Sequence, residues 1–291
     1  MTTPTALKRQ SAELAGVLPP LLAEAERLAA MVLPGEHGRR HSGNGDEFWQ
    51  YRMAVPGDAA RRIDWRRSAR SDQHFVRQKE WQAAQSVLLW VDGAASMEFA
   101  SVKELPTKAA RARVLALALA IVLLRGGEKV GLSNSPHPPR AGQSQLLRLA
   151  QELTSQSEQS DFGQPDSHGM RPNTRAVFLS DFMGDFAAVQ TALTKAAERG
   201  IKGALLHILD PQEEAFPFKG RTIFQSMAGT LHHETLKAGD LRTAYQQRLA
   251  ERKAQLADLA RQTGWHYHCH HSADAPREAL IWLYHALERK R

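Results

Sequence analysis

The apolar positions fall into two alternating regimes from Ser86 onward. Short apolar runs end at an acid or a glycine, and longer stretches follow with apolar residues three or four apart. The runs SVLLWVD, KVGLS, RAVFLSD, KGALLHILD and WHYHCHH predict strands. Helices are predicted over about 106–125, over QSQLLRLAQELTSQ and DFAAVQTALTKAAER, over about 240–263, and over APREALIWLYHALER. Gly126-Gly127 and Gly200 close two of them. RTIFQS and GTLHHE read as a hairpin about Met227-Ala228-Gly229, and polar residues 158–173 read as a loop. Strand–helix alternation of this kind argues for an α/β fold: a doubly wound, mostly parallel sheet with helices on both faces.

The chain before Ser86 reads differently. Residues 5–33 are rich in Ala, Leu and Glu and look helical, with a split at Pro19-Pro20 and a stop at Pro34-Gly35. Residues 35–81 crowd glycines and charges around Trp49, Trp65 and Trp81. They predict irregular loops and short strands, HFVRQKE being the clearest. The expected organisation is therefore a helical segment over 1–34, an irregular arginine-rich segment over 35–85, and the α/β domain over 86–291.

Composition adds three constraints. The longest apolar run, VLALALAIVLL, is too short for a membrane span of roughly 20 residues. With no secretory segment at the N-terminus, we expect no membrane insertion and a cytoplasmic protein. The single cysteine, Cys269, excludes an internal disulfide. The formal charge of +7 suits either an acidic partner or simple solubility.

Candidate chemistry centres on two acids. Asp92 ends SVLLWVD and Asp181 ends RAVFLSD, with Ser96 four residues past the first. If the two strands flank the switch point of the sheet, both carboxylates reach one crevice. Oxygen ligands of this kind suit Mg2+. His266, His268 and His270 share a strand face by alternation and could take zinc, or could be ordinary half-exposed histidines. No P-loop, nucleophile elbow or dinucleotide fingerprint occurs in its required frame.

These residues carry a resemblance. Asp92 with Ser96, and Ser180-Asp181, look like the metal-ion-dependent adhesion site of von Willebrand factor A-type domains. The pattern is degenerate, because Ala94 stands where a serine ligand is expected. An ordered set of residues upstream is more specific: His37, Glu47, Arg52, Asp58, Arg62, Asp64, Trp65 and Arg70, with the glycines, prolines and aromatics between them. Together with Asp210-Pro211-x-Glu213 and Pro217-x-x-Gly220, it resembles the signature of the domain of unknown function 58 family over roughly residues 35–290. The resemblance implies a von Willebrand factor A-like C-terminal fold and a partnership with MoxR-type AAA+ ATPases in chaperone-like assembly or maturation.

The expectation is thus a non-enzymatic interaction module acting on such an ATPase or its client. Asp92, Ser96 and Asp181 would form the crevice, with weak Mg2+ binding. Arg39, Arg40, Arg61 and Arg67 would form a partner-facing patch. His37, Glu47, Arg52, Asp58, Arg62, Asp64, Trp65 and Arg70 would brace the irregular segment. Two other classes compete: a metal-dependent hydrolase using Asp92 and Asp181, and a single-strand nucleic-acid binder using interleaved Arg and Trp.

Overall fold

The computed structural model describes residues 19–32, 48–55, 63–70, 73–79, 85–156, 160–165 and 169–288. It divides into two compact units, residues 35–84 and the remainder. His37, Arg39, Arg40, Glu47, Asp58, Arg61 and Arg62 lie outside the described residues.

In the larger unit, helix α1 (Pro19–Val32) precedes the predicted alternation. Strand β3 (Ser86–Val91) leads to α3 (Lys108–Arg125), β4 (Lys129–Leu132), α4 (Gln143–Ser155), β5 (Thr174–Ser180), α5 (Phe186–Glu198) and β6 (Lys202–Leu209). A short helix α6 (Pro211–Ala215) and a hairpin of β7 (Thr222–Gln225) and β8 (His232–Thr235) follow. The long α7 (Ala238–Thr263), β9 (His266–His271) and α8 (Pro276–Leu287) complete the unit. A 3-10 turn at Ala95–Glu98 and α6 were absent from the sequence reading, being too short to show a period.

The central sheet has five strands in the order β4-β3-β5-β6-β9, all parallel. The chain passes from β3 outward to β4 and then back across β3 to β5. The switch point is therefore the β3/β5 boundary. Parallel strands covered on both faces are apolar without interruption, which explains runs such as SVLLWV. Alternate residues still part company. Val87, Leu89, Val91, Val177, Leu179, Leu206 and Ile208 pack with α1, α3, α4 and α8. Leu88, Trp90, Ala176, Phe178 and Leu205 pack with α5 and α7. The apolar α3 lies buried in the first of these layers, capped by Thr107 Oγ1, which accepts the Ala110 amide at 3.0 Å. Among the described residues, no helix is long and apolar enough to cross a membrane.

The smaller unit pairs β1 (Phe48–Met53) with β2 (Phe75–Lys79), antiparallel, and carries the one-turn helix α2 (Trp65–Ser68). Asp64 caps that turn, accepting the Arg67 amide at 3.1 Å. Ser68 Oγ donates to the Asp64 carbonyl at 2.8 Å and accepts the Phe75 amide at 2.9 Å. Asp64 thus organises this turn through both its side chain and its carbonyl. Trp65 is 57% exposed and sits edge-on to His74. The Arg67 guanidinium lies 5.2 Å from the Phe75 ring centroid, so it packs within its own unit. Arg52 sits in β1 opposite Val76, and Arg70 is exposed just past α2.

Candidate functional site

Both acids stand at the carboxyl ends of adjacent strands, on either side of the switch point. Neither is open to solvent. The β3/β5 register runs to Val91 opposite Leu179, which leaves Asp92 level with Ser180 and Asp181 one residue further on. That stagger gives the two carboxylates separate surroundings, and each is only 1% exposed.

Asp92 is closed in by its own loop and by the segment after α4. Its Oδ1 accepts the Ala94 amide at 2.9 Å, and its Oδ2 accepts the Ser180 hydroxyl at 2.6 Å. Gly163 lies against this carboxylate so closely that a Cβ there would overlap it. The covering segment is stitched down by backbone bonds, Ala95 N to Ser160 O and Ser96 N to Asp161 O, both 2.9 Å. Gln156 Nε2 adds a bond of 2.7 Å to the Val91 carbonyl.

Asp181 belongs to a charge cluster. Lys108, the first residue of α3, is 1% exposed. Its Nζ lies 2.8 Å from Asp181 Oδ2 and 2.6 Å from Glu213 Oε1. The other oxygen of each carboxylate is held by backbone: Asp181 Oδ1 accepts the Met183 amide at 3.1 Å, and Glu213 Oε2 accepts the Asp210 amide at 2.9 Å. Burial pulls the Lys108 pKa down, but Asp181 and Glu213 outweigh it and leave the ammonium above its ordinary value. Burial likewise pushes Asp181 up, and Lys108 more than reverses this. Glu213 keeps a raised pKa, because desolvation there exceeds the help from Lys108. The chain just past Asp181 is strained, with buried Phe182 at φ +46° and its amide bonded to Ser180 Oγ at 2.8 Å.

The surroundings extend this pattern of internal satisfaction. Buried Asp210 caps α6 through Gln212 N and accepts the Ser101 amide at 2.9 Å. His207 bonds Tyr267 at 2.9 Å through Nδ1, and burial lowers its pKa to about 3. The Ser96 hydroxyl, its oxygen buried, supports the ionised form of Asp181. Beyond the rim, Asp161 accepts Ser226 Oγ at 3.0 Å, the Ala228 amide at 2.9 Å and Thr230 Oγ1. Those residues form the tip of the β7–β8 hairpin.

As they stand, Asp92, Ser96 and Asp181 do not fit a divalent cation. The four carboxylate oxygens of Asp92 and Asp181 are already engaged by two amides, a hydroxyl and an ammonium. Lys108 and Glu213 were missed as site residues. A signal for the lysine was available: a cation in the first turn of a helix opposes the helix dipole. At the head of a largely apolar helix, that position implied a counter-charge. Glu213 was visible only as part of a motif. The β9 histidines do not converge either. His266 is exposed, His268 lies flat against Trp282 at 4.9 Å between centroids, and His270 is buried with a pKa lowered to about 4, chiefly by burial. Among the described residues, no group of three or more His, Cys, Asp or Glu is arranged to hold a metal.

A doubly wound α/β unit with a sealed switch-point rim, joined in sequence to a small irregular β unit, defines the class of chain. Residues 50–255 match the family described as Protein of unknown function DUF58, and the chain belongs to that family. It is 26% identical over 251 residues to uncharacterized proteins of Mycobacterium bovis and of two Mycobacterium tuberculosis strains, covering 80% of this chain and 77% of each relative. No solved structure matches.

Proposed function

We propose that the chain is a non-enzymatic, von Willebrand factor A-like interaction module, an adaptor or co-factor of a MoxR-type AAA+ ATPase in chaperone-like assembly or maturation. ATP hydrolysis belongs to the partner, and that partner's need for ATP argues for a cytoplasmic encounter. The observation that carries this reading is the β7–β8 hairpin. Ile223, Met227, Leu231 and Leu236 are 55%, 51%, 57% and 73% exposed there. Apolar side chains grouped on one protruding element favour a protein partner. Asp161 ties the tip of that element to the loop that covers Asp92. The hydrolase reading lacks comparable support, because Asp92 and Asp181 are both buried and engaged.

The test uses the purified chain and the MoxR-type ATPase of its native host, with a non-hydrolysable ATP analogue. Wild type should bind and change the ATPase rate. Met227→Asp with Leu231→Asp should weaken binding by about tenfold or more without lowering Tm. Absence of wild-type binding in every nucleotide state would overturn the reading.

A further inference from the structure

We propose that the Lys108 ammonium is the resident cation of this site. It stands where a divalent ion would otherwise be needed, and its removal turns Asp181 and Glu213 into a divalent-cation site. This inference concerns the electrostatics of the rim and is independent of which partner the protein binds.

Four observations carry it. First, two carboxylate oxygens converge on one point, Asp181 Oδ2 and Glu213 Oε1, each within 2.8 Å of Nζ. Second, both carboxylates are oriented without the lysine's help. The Met183 and Asp210 amides hold their second oxygens, so each free oxygen stays aimed at the same place if the ammonium is lost. Third, the surroundings are largely dry. Asp181 and Lys108 are each 1% exposed and Glu213 is 19% exposed, so an uncompensated pair of negative charges here is costly and draws in either a cation or a proton. Fourth, the Ser96 hydroxyl, its oxygen buried, lies beside Asp181 and favours the ionised carboxylate. It is a further oxygen donor at the same spot.

The chemistry then selects the class of ion. Two carboxylate oxygens with a hydroxyl suit a hard cation that completes its shell with water, such as Mg2+ or Mn2+. Truncating Lys108 to alanine removes the alkyl stem along with the charge, and the space released can hold those waters. In the wild type the same space is filled by a tethered charge rooted at the start of α3, with the Phe99 ring centroid 5.8 Å from Nζ. The ammonium needs no exchange with solvent, so the fold should be indifferent to chelation.

The experiment compares the full chain and its Lys108→Ala variant, titrated with Mn2+ alone and followed by calorimetry, electron paramagnetic resonance and thermal melting. Wild type should show no Asp181-dependent Mn2+ binding and the same Tm in millimolar Mn2+ as in chelator. Lys108→Ala should melt lower in chelator and rise by several degrees in millimolar Mn2+. Adding Asp181→Asn should remove that rise. If Lys108→Ala does not fold in chelator, recovery of native circular dichroism on refolding with Mn2+ is the expected result. Failure to recover, a folded variant that binds no Mn2+, or wild-type Mn2+ binding abolished by Asp181→Asn would each overturn the proposal.

Discussion

At the scale of single residues, Lys108 decides more than any group named in the motifs. A buried ion pair need not exceed a hydrophobic replacement in stability, but breaking one from a single side strands the other charge. Lys108→Met should therefore cost about 3–5 kcal/mol in denaturant melts. Pairing it with Asp181→Leu should return part of that loss, since the stranded charge is then removed too. An equal loss in the single and double variants would show that the lysine stem, not its charge, matters. Sequence reading located Asp92 and Asp181 correctly at strand ends. It could not foresee their fate, because that depends on a one-residue stagger in the β3/β5 register and on side chains 73 and 105 positions away in contact with Lys108.

At the scale of elements, the five sheet strands and the helices between them were readable because each has several residues in which to display a period. Residues 158–173 were readable as a loop, but its position over Asp92 was not, because that is set by contact alone. Gly163 is its tightest point. Gly163→Ala should destabilise by about 1–3 kcal/mol through forced displacement at Asp92, a cost typical of overpacking. A near-neutral result in urea melts would mean that the loop can lift off the rim. Helix α6 offers a second check. Asp210 serves as its capping-box residue and also receives the Ser101 amide, so Asp210→Ala should lose about 1–2 kcal/mol for the cap, with a further penalty for Ser101. Asp210→Asn should be the milder change of the two.

At the scale of the whole molecule, the buried histidines set the response to acid. His207 and His270 have pKa values depressed to about 3 and about 4, mainly by burial. The unfolded chain therefore binds protons that the folded chain refuses as pH falls from 6.5, and stability should drop by about 1.4 kcal/mol per pH unit for each histidine. Asp181, depressed by Lys108, contributes above the ordinary carboxylate range and is lost only at lower pH. Glu213, raised by burial, opposes the trend because its folded form takes up a proton more readily. Lys108 acts at the alkaline end, its contribution fading once pH climbs through its raised value. A His207→Leu variant should show a visibly shallower slope between pH 6.5 and 4 in melts across pH. An unchanged slope would place the acid sensitivity elsewhere. The Lys108 cluster has a kinetic corollary as well. Its three members come from α3, the exit of β5 and the start of α6, so none of its bonds can close before distant parts of the chain have met. We expect the salt bridges to form after the folding transition state, as a late latch. Weakening them with Lys108→Met should leave the refolding rate almost untouched and accelerate unfolding, shortening the lifetime of the native state rather than delaying its arrival.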